Sequence, residues 1–264
     1  QQALTPVLDL ARDARWGRFE ETYGEDPYLV ARLGVACING FQGKGPVIDK
    51  QHIIATAKHF AVHGQPEGGT NTAPGNFSER VMREYFLAPF KAAIMEAGAQ
   101  SVMASYNEID GIPAHTNTWL LQEVLRQEWG FPGFIVSDYY GIPQLQTLHH
   151  VAADEAEATR QALAAGIDLE LPDIQCYGTL VEQVKAGKIS EALLDQTVAR
   201  ILRAKFLTGL FDDPYVDPDY AEQITNNAEH QTLALEAARK AVILLKNDKQ
   251  LLPLDRAKIK TLAV

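Results

Sequence analysis

The sequence has few of the residues that mark several protein classes. Only two cysteines, Cys37 and Cys176, occur in 264 residues. They form neither a disulfide framework nor a zinc motif and read as unrelated thiols. No stretch approaches ~18 uninterrupted apolar residues, so a membrane-spanning helix is excluded. Basic side chains are outnumbered, with 24 Lys+Arg against 34 Asp+Glu and a formal net charge of −10. A nucleic-acid surface needs clustered Lys and Arg, so no nucleic-acid partner is expected. There is no low-complexity tract and no internal repeat at roughly 20–50 residues. What is present is ordinary for a folded chain: hydrophobic residues make up 46%, too many for disorder. The length is close to the ~250 residues typical of one (β/α)8 barrel.

The first residues, Gln1-Gln2-Ala3-Leu4, show neither a start methionine nor a signal peptide, and the last, 258–264, look like the first half of a strand. Both ends read as cuts in a longer polypeptide, and such ends leave the compartment open.

Short apolar runs alternate with amphipathic segments. Candidate strands are 7–10, 53–57, 101–105, 134–137 and 167–171, each followed by a loop and a helix-like stretch. This rhythm implies parallel strands with helical crossovers. The runs lack polar alternation, as expected of strands covered on both faces. Helix punctuation is clear. Asp26 precedes Pro27 as a cap before a first-turn proline. Asn117 can cap 118–129, with Gly130 just past its end. Ser190 caps a helix to about Leu207, with Leu194, Val198, Ile201, Leu202 and Phe206 as one apolar face. From Phe211 the chain becomes rich in Asp and Pro and reads as a linker, followed by a helix over roughly 228–246.

The informative polar residues fall at the ends of the apolar runs. Lys58-His59 follows 53–57, Tyr106-Asn107 follows 101–105, and Asp138-Tyr139-Tyr140 follows 134–137. The run 7–10 leads into Arg12, Asp13, Arg15, Trp16 and Arg18. In a βα barrel the carboxyl ends of the strands share one mouth, which is the active site. A carboxylate there, with Arg and Lys nearby, stays ionised and can attack an anomeric carbon. Aromatic rings could stack on a sugar. A retaining glycosidase needs a second carboxyl about 5 Å away, so the residues alone describe half of one. Each side chain also has a plainer reading. Asp138 could cap a helix, Lys58 could be a solvated rim lysine, and His59 a satisfied core histidine. Arg18 could pair with Glu20 or Glu21, and Tyr106 could be core packing. Two other functions stay open: a Schiff-base lyase or aldolase using Lys58, and a non-catalytic carbohydrate-binding relic. His149-His150 is a weak metal signal, and neither a metal nor a cofactor is expected.

Several motifs together carry a resemblance. Arg12-Asp13-Ala14-Arg15-Trp16-Gly17-Arg18-Phe19-Glu20-Glu21-Thr22-Tyr23-Gly24-Glu25-Asp26-Pro27, Lys58-His59-Phe60, Met103-Ala104-Ser105-Tyr106-Asn107 and Gly133-Phe134-Ile135-Val136-Ser137-Asp138 resemble glycoside hydrolase family 3. Residues 241–248 and 251–254 look like that family's passage into its second domain.

The resemblance implies an α/β fold: a (β/α)8 TIM-type barrel, incomplete at its N-terminus, followed by a linker and the start of an α/β sandwich. The implied boundaries are 1–210 for the partial barrel, 211–257 for linker and connecting helix, and 258–264 for the first sandwich strand. It implies a retaining exo-β-glycosidase that removes terminal glucose or xylose from oligosaccharides or aryl β-glycosides. Asp138 matches the nucleophile; Arg18, Lys58 and His59 match residues that hold the sugar, and Tyr106 a tyrosine beside the nucleophile. Glu67 and Tyr139 are further substrate-binding candidates; many members have Trp at the latter position. The general acid/base is a glutamate in the sandwich domain, beyond residue 264. The missing N-terminal barrel segment and the sandwich are therefore expected to be required for turnover. A branch with a single domain uses an Asp/His pair in the loop after Lys58-His59-Phe60. That loop here holds His63 but no Asp, which points to the β-glucosidase/β-xylosidase branch. A periplasmic or secreted location is implied.

Overall fold

A computed structural model describes residues 1–45, 47–261 and 263. They fall into two units, Gln1–Pro214 and Tyr215–Val264.

Six strands form among the described residues of the first unit: β1 (Gln2–Ala3), β2 (Ile54–Phe60), β3 (Ser101–Ala104), β4 (Glu108–Ile109), β5 (Ile112–Pro113) and β6 (Phe134–Val136). The main sheet has the order β1-β2-β3-β6, and each neighbouring pair is parallel. Parallel bridges Val7–Lys58 and Val136–Leu169 extend it. Helices Pro27–Gln42, Ala88–Met95, Trp119–Glu128 and Glu155–Ala165 fill the crossovers. The strands succeed one another across the sheet in chain order. That is the progression of a barrel wall, not of a doubly wound sheet, whose order reverses at a switch point. The first unit is thus an α/β fold of TIM-barrel type. β4 and β5 form a small hairpin, whose Asp110-Gly111 corner has φ of +51° and +77°, the twist that suits a two-residue hairpin turn.

The apolar runs are buried as expected of a sheet covered on both sides. Every residue of β3 and β6 is buried. Leu8, Leu10, Phe60, Phe90, Leu120, Leu121, Leu125 and Ile135 form much of the core. The caps behave as the sequence suggests. The Leu29 amide donates to Asp26 Oδ1 at 2.7 Å, Leu120 to Asn117 Oδ1 at 3.0 Å and Leu193 to Ser190 Oγ at 3.3 Å. Both cysteines are free. Asp168 is buried between Arg126 (2.7 Å) and Arg200 (2.8 Å) and accepts the Ile135 amide at 2.8 Å.

Four expectations for this unit need correction. The expected strand 7–10 pairs only at Val7. The Lys58 amide donates to Pro6 O at 3.1 Å, and Leu8 donates to Lys58 O at 2.6 Å, after which the chain leaves the sheet. The expected strand 167–171 is a single bridge at Leu169. The strand begun at 53–57 runs on through Phe60, so Lys58 and His59 lie in it, not after it. A polar residue in an apolar run does not end a strand whose backbone ladder continues. On the long helix, Val198, Leu202 and Phe206 are exposed, while Thr197 and Ala204 are buried.

The second unit holds helices Pro218–Ile224 and Ala228–Ala241, capped by Asp217 and Asn227. The latter stops at Ala241, short of the expected 246, and residues 242–245 are irregular and exposed. The strand expected over 258–264 falls partly on residues 262 and 264, outside the described residues. Residues 258–261 and 263 carry no strand. No helix among the described residues is long and apolar enough to cross a membrane.

Candidate active site

The carboxyl ends of three adjacent strands set the site. Thr56 faces Ser101 and Ala57 faces Val102, but the next partner of Ala104 is Phe60. Three steps on β2 answer two on β3, so β2 carries one extra residue in its Lys58-His59 stretch. Such a bulge re-aims the side chains it contains. Across β3, Met103 is level with Val136, which puts Ser137 and Asp138 at the exit of β6 beside Ser105 and Tyr106.

Asp138 is 6% exposed. Its Oδ1 accepts the Tyr139 amide at 2.7 Å, and its own amide donates to His115 Nε2 at 3.1 Å. Its Oδ2 has no hydrogen-bond partner, and the nearest basic nitrogen is His59 Nε2 at 3.6 Å. One carboxylate oxygen is therefore anchored by backbone, and the other is free to react.

Arg18 is the hub of the charged cluster. Its Nε and Nη2 donate to Glu21 at 2.7 and 2.9 Å. Nη2 also reaches His59 Nε2 at 3.0 Å, and Nη1 reaches His63 Nε2 at 3.2 Å. A guanidinium has five N–H donors and no acceptor, so four are engaged and both imidazoles must accept. Glu21 in turn holds Arg18 firmly charged, and Arg18 lowers the Glu21 carboxyl. Burial pushes His59 and His63 down to about 3, so both rings are neutral. On its other side His59 meets Asp9 Oδ2, through Nδ1 at 2.7 Å and its amide at 3.1 Å. Burial raises the Asp9 carboxyl to about 6, against the lowering effect of His63, the His59 amide and Arg18. Trp16 stands edge-on to His63, with ring centres 5.2 Å apart.

Of the residues singled out in the sequence, Arg18, His59 and Asp138 meet directly. Lys58 is half-buried on β2, and its charge acts on His59 and Glu21. Among the described residues its ammonium has no ion pair. The Tyr106 hydroxyl donates to the Tyr139 carbonyl at 2.8 Å, and burial, then the charge of Asp138, pushes its phenol up. Tyr139 serves the site through its backbone, while its side chain is 45% exposed. Glu67 is exposed and accepts from Asn76 at 2.7 Å, and no contact joins it to the Asp138 cluster among the described residues. Asp9, Glu21, His63 and His115 are the members that sequence reasoning left out of the site. Asp9 had one visible signal: a lone carboxylate inside the apolar run Val7-Leu8-Asp9-Leu10.

Chemically, the cluster offers a shielded carboxylate oxygen, a fixed cation and two neutral imidazoles. It suits attack on an electrophilic carbon that carries hydroxyls for Arg and Lys to hold. Among the described residues no group of three or more His, Cys, Asp or Glu is arranged to hold a metal ion.

Comparison with known proteins gives the family of the chain. Residues 1–204 match the model of the glycosyl hydrolase family 3 N-terminal domain. A β-xylosidase of Formosa agariphila is 46% identical over 98% of this chain and 37% of its own length. A periplasmic β-glucosidase of Salmonella typhimurium is 39% identical over 96% of this chain and 33% of its own length. Among solved structures, a β-glucosidase from Erythrobacter marinus superposes with a TM-score of 0.95 at 43% identity, over 96% of this chain and 34% of that one. The chain spans about a third of the length of these relatives.

Proposed function

This chain belongs to glycosyl hydrolase family 3, and on that footing we propose that it is the nucleophile-bearing part of an exo-acting, retaining β-glycosidase. Asp138 attacks the anomeric carbon of a terminal β-glucosyl or β-xylosyl residue. The bond to the leaving oxygen breaks as that oxygen takes a proton from a second carboxyl, and water then releases the sugar from Asp138. Arg18 and Lys58 hold hydroxyls of the sugar, His59 lines the same wall, and Tyr106 shapes the turn that carries Asp138.

The observation that carries this reading is the state of Asp138: a buried carboxylate with one oxygen fixed by the Tyr139 amide and the other without a partner. Relatives of both names, β-xylosidase and β-glucosidase, support a substrate that is a small β-linked oligosaccharide or aryl β-glycoside of either sugar. They give no support to a Schiff-base role for Lys58 or to a binding-only relic. Among the described residues five parallel segments lie side by side, whereas a closed barrel needs eight strands. We assign the remaining strands, the sandwich domain and the acid/base glutamate to a longer polypeptide, in keeping with the third of each relative that the chain matches. The relative named as periplasmic supports a periplasmic or secreted location.

The test is covalent trapping in the full-length protein. A 2-deoxy-2-fluoro β-glycoside with a good leaving group should add one sugar mass to the peptide containing Asp138, and Asp138→Ala should take no label. Labelling that persists at another residue in that variant removes Asp138 from the role.

A further inference from the structure

Asp9 touches no reacting atom, yet among the described residues its carboxylate is the only one that binds the imidazole of His59 on the side away from Asp138. We propose that Asp9 is a positioning residue of this site. Through one oxygen it locks the His59 ring with its proton on Nδ1, so that the Nε2 lone pair meets Arg18 and no imidazole proton reaches Asp138. The proposal rests on the glycosidase reading only for its consequence in catalysis, and the tautomer itself can be measured without activity.

Both ends of the ring demand the same proton placement. Arg18 can only donate, so its 3.0 Å contact with Nε2 needs a lone pair there. The remaining ring proton then sits on Nδ1, where Asp9 Oδ2 accepts it at 2.7 Å. The same oxygen accepts the His59 amide at 3.1 Å, which ties Asp9 to the backbone of the bulge as well as to the ring. The alternative tautomer would aim an N–H at the guanidinium, or at Asp138 Oδ2 3.6 Å away. A donor there would draw charge from the oxygen that attacks. His63 provides the internal contrast. Its Nε2 also accepts from Arg18, but its Nδ1 has no partner, so only His59 is gripped from behind. Asp9 is 2% exposed, and burial keeps His59 neutral, which leaves a single proton for the two groups to share. Asp9 Oδ1 has no hydrogen-bond partner; the whole grip passes through Oδ2.

That last detail decides the variants. Asp9→Asn can place its amide oxygen where Oδ2 lies and keep both bonds, whereas Asp9→Leu keeps bulk but removes the acceptor. In full-length protein labelled with 15N-histidine, with His59 assigned by the loss of its signals in His59→Gln, the wild type and Asp9→Asn should both show the Nδ1–H form. Asp9→Leu should lose that uniform state. In the same proteins the rate constant for fluorosugar inactivation should fall about 10²-fold in Asp9→Leu, as for a displaced reacting geometry. It should stay within about tenfold of wild type in Asp9→Asn, with affinity for a competitive sugar little changed in both. An Nε2–H or imidazolium form of His59 in the wild type overturns the proposal. So does a folded Asp9→Leu protein with unchanged tautomer or unchanged inactivation. If Asp9→Leu does not fold, the wild-type and Asp9→Asn spectra decide by the same criterion. A wild-type protein that takes no label would defeat the glycosidase reading, and the spectra would still judge Asp9.

Discussion

Nε2 of His59 stands 3.6 Å from Oδ2 of Asp138 and 3.0 Å from Nη2 of Arg18. The imidazole therefore spends its lone pair on the guanidinium, and Asp138 keeps an oxygen without a donor. Arg18 is meanwhile held from the opposite side by Glu21 at 2.7 Å. The cation is close enough to act on Asp138 electrostatically while its N–H groups are directed elsewhere. In the proposed reaction this leaves Asp138 an oxygen with no hydrogen bond to break before attack.

Arg18→Lys should show that the fork, and not the charge alone, matters. A lysine ammonium has three donors on a flexible stem and cannot bridge Glu21, His59 and His63 in one plane. The full-length enzyme with this change should lose about 10²-fold in kcat/KM, roughly 2.7 kcal/mol of transition-state stabilisation. Steady-state kinetics on an aryl β-glycoside checks this; a loss below about threefold would mean that a point charge suffices.

The sequence made much of this site readable, and its failures have physical reasons. Asp138, Lys58, His59 and Tyr106 were visible because polar residues stand at the ends of apolar runs, where barrel chemistry collects. The bulge in β2 was not visible, since no local pattern in 54–60 shows an extra residue; it appears only as a mismatch with β3. His63 and His115 look like any histidine until packing makes them neutral acceptors. At Tyr139 the sequence shows the ring alone; the bonds that its amide and carbonyl make to Asp138 and Tyr106 appear only in the structure. Glu67 is legible by its place after Lys58-His59, and its bond to Asn76 from the turn at Glu67–Gly69 appears only in the structure.

Acid should unfold the first unit by a definite proton count. His59, His63 and His115 are each pushed down to about 3 by burial, while the unfolded chain binds a proton at each near 6.5. Unfolding therefore takes up protons below that value, and stability is present above 6.5 and lost as pH falls toward 3. Asp9, raised to about 6, acts with the opposite sign: the folded state holds its proton between 3.8 and 6, so this group favours folding less as pH rises. In that window Asp9 offsets His59, so these four groups together take up about two protons, and the Asp168 carboxyl, raised by burial, lowers that uptake further. Stability should fall by at most about 2.7 kcal/mol per pH unit between pH 6 and 4. Denaturant melts followed by tryptophan fluorescence, with Trp16 buried against His63, measure that slope; a flat profile would contradict the buried neutral histidines.

Asp168 should matter for stability and not for chemistry. Its side chain is fully buried, and it balances Arg126 and Arg200. Burial lowers Arg126 to about 10 even with this partner. Asp168→Asn keeps an acceptor for the Ile135 amide but leaves two cations uncompensated. Breaking a buried pair from one side costs about 3–5 kcal/mol. A large drop in melting temperature is expected, with kcat of the surviving folded enzyme close to wild type. A strong kcat loss at unchanged stability would instead place Asp168 in the reaction.

Gly141 should prove as sensitive as a residue that touches substrate, although it has no side chain to do so. A Cβ there would overlap the His115 ring at Nε2 and Cε1 and lie 3.1 Å from the Asp138 carbonyl oxygen. His115 is buried, and its Nε2 accepts the Asp138 amide at 3.1 Å. The ring cannot step aside without giving up that bond. Gly141→Ala therefore has to displace either the imidazole or the turn that carries the nucleophile. Overpacking of this kind costs about 1–3 kcal/mol of stability, and a shift of the nucleophile near 1 Å costs about 10²-fold in rate. Gly40→Ala, in the helix Pro27–Gln42 with open space around its Cβ, is the control: it should keep full activity and gain up to about 1 kcal/mol. Thermal melts and fluorosugar inactivation rates on the two variants separate the cases. Equal behaviour of both would mean that His115 does not support Asp138.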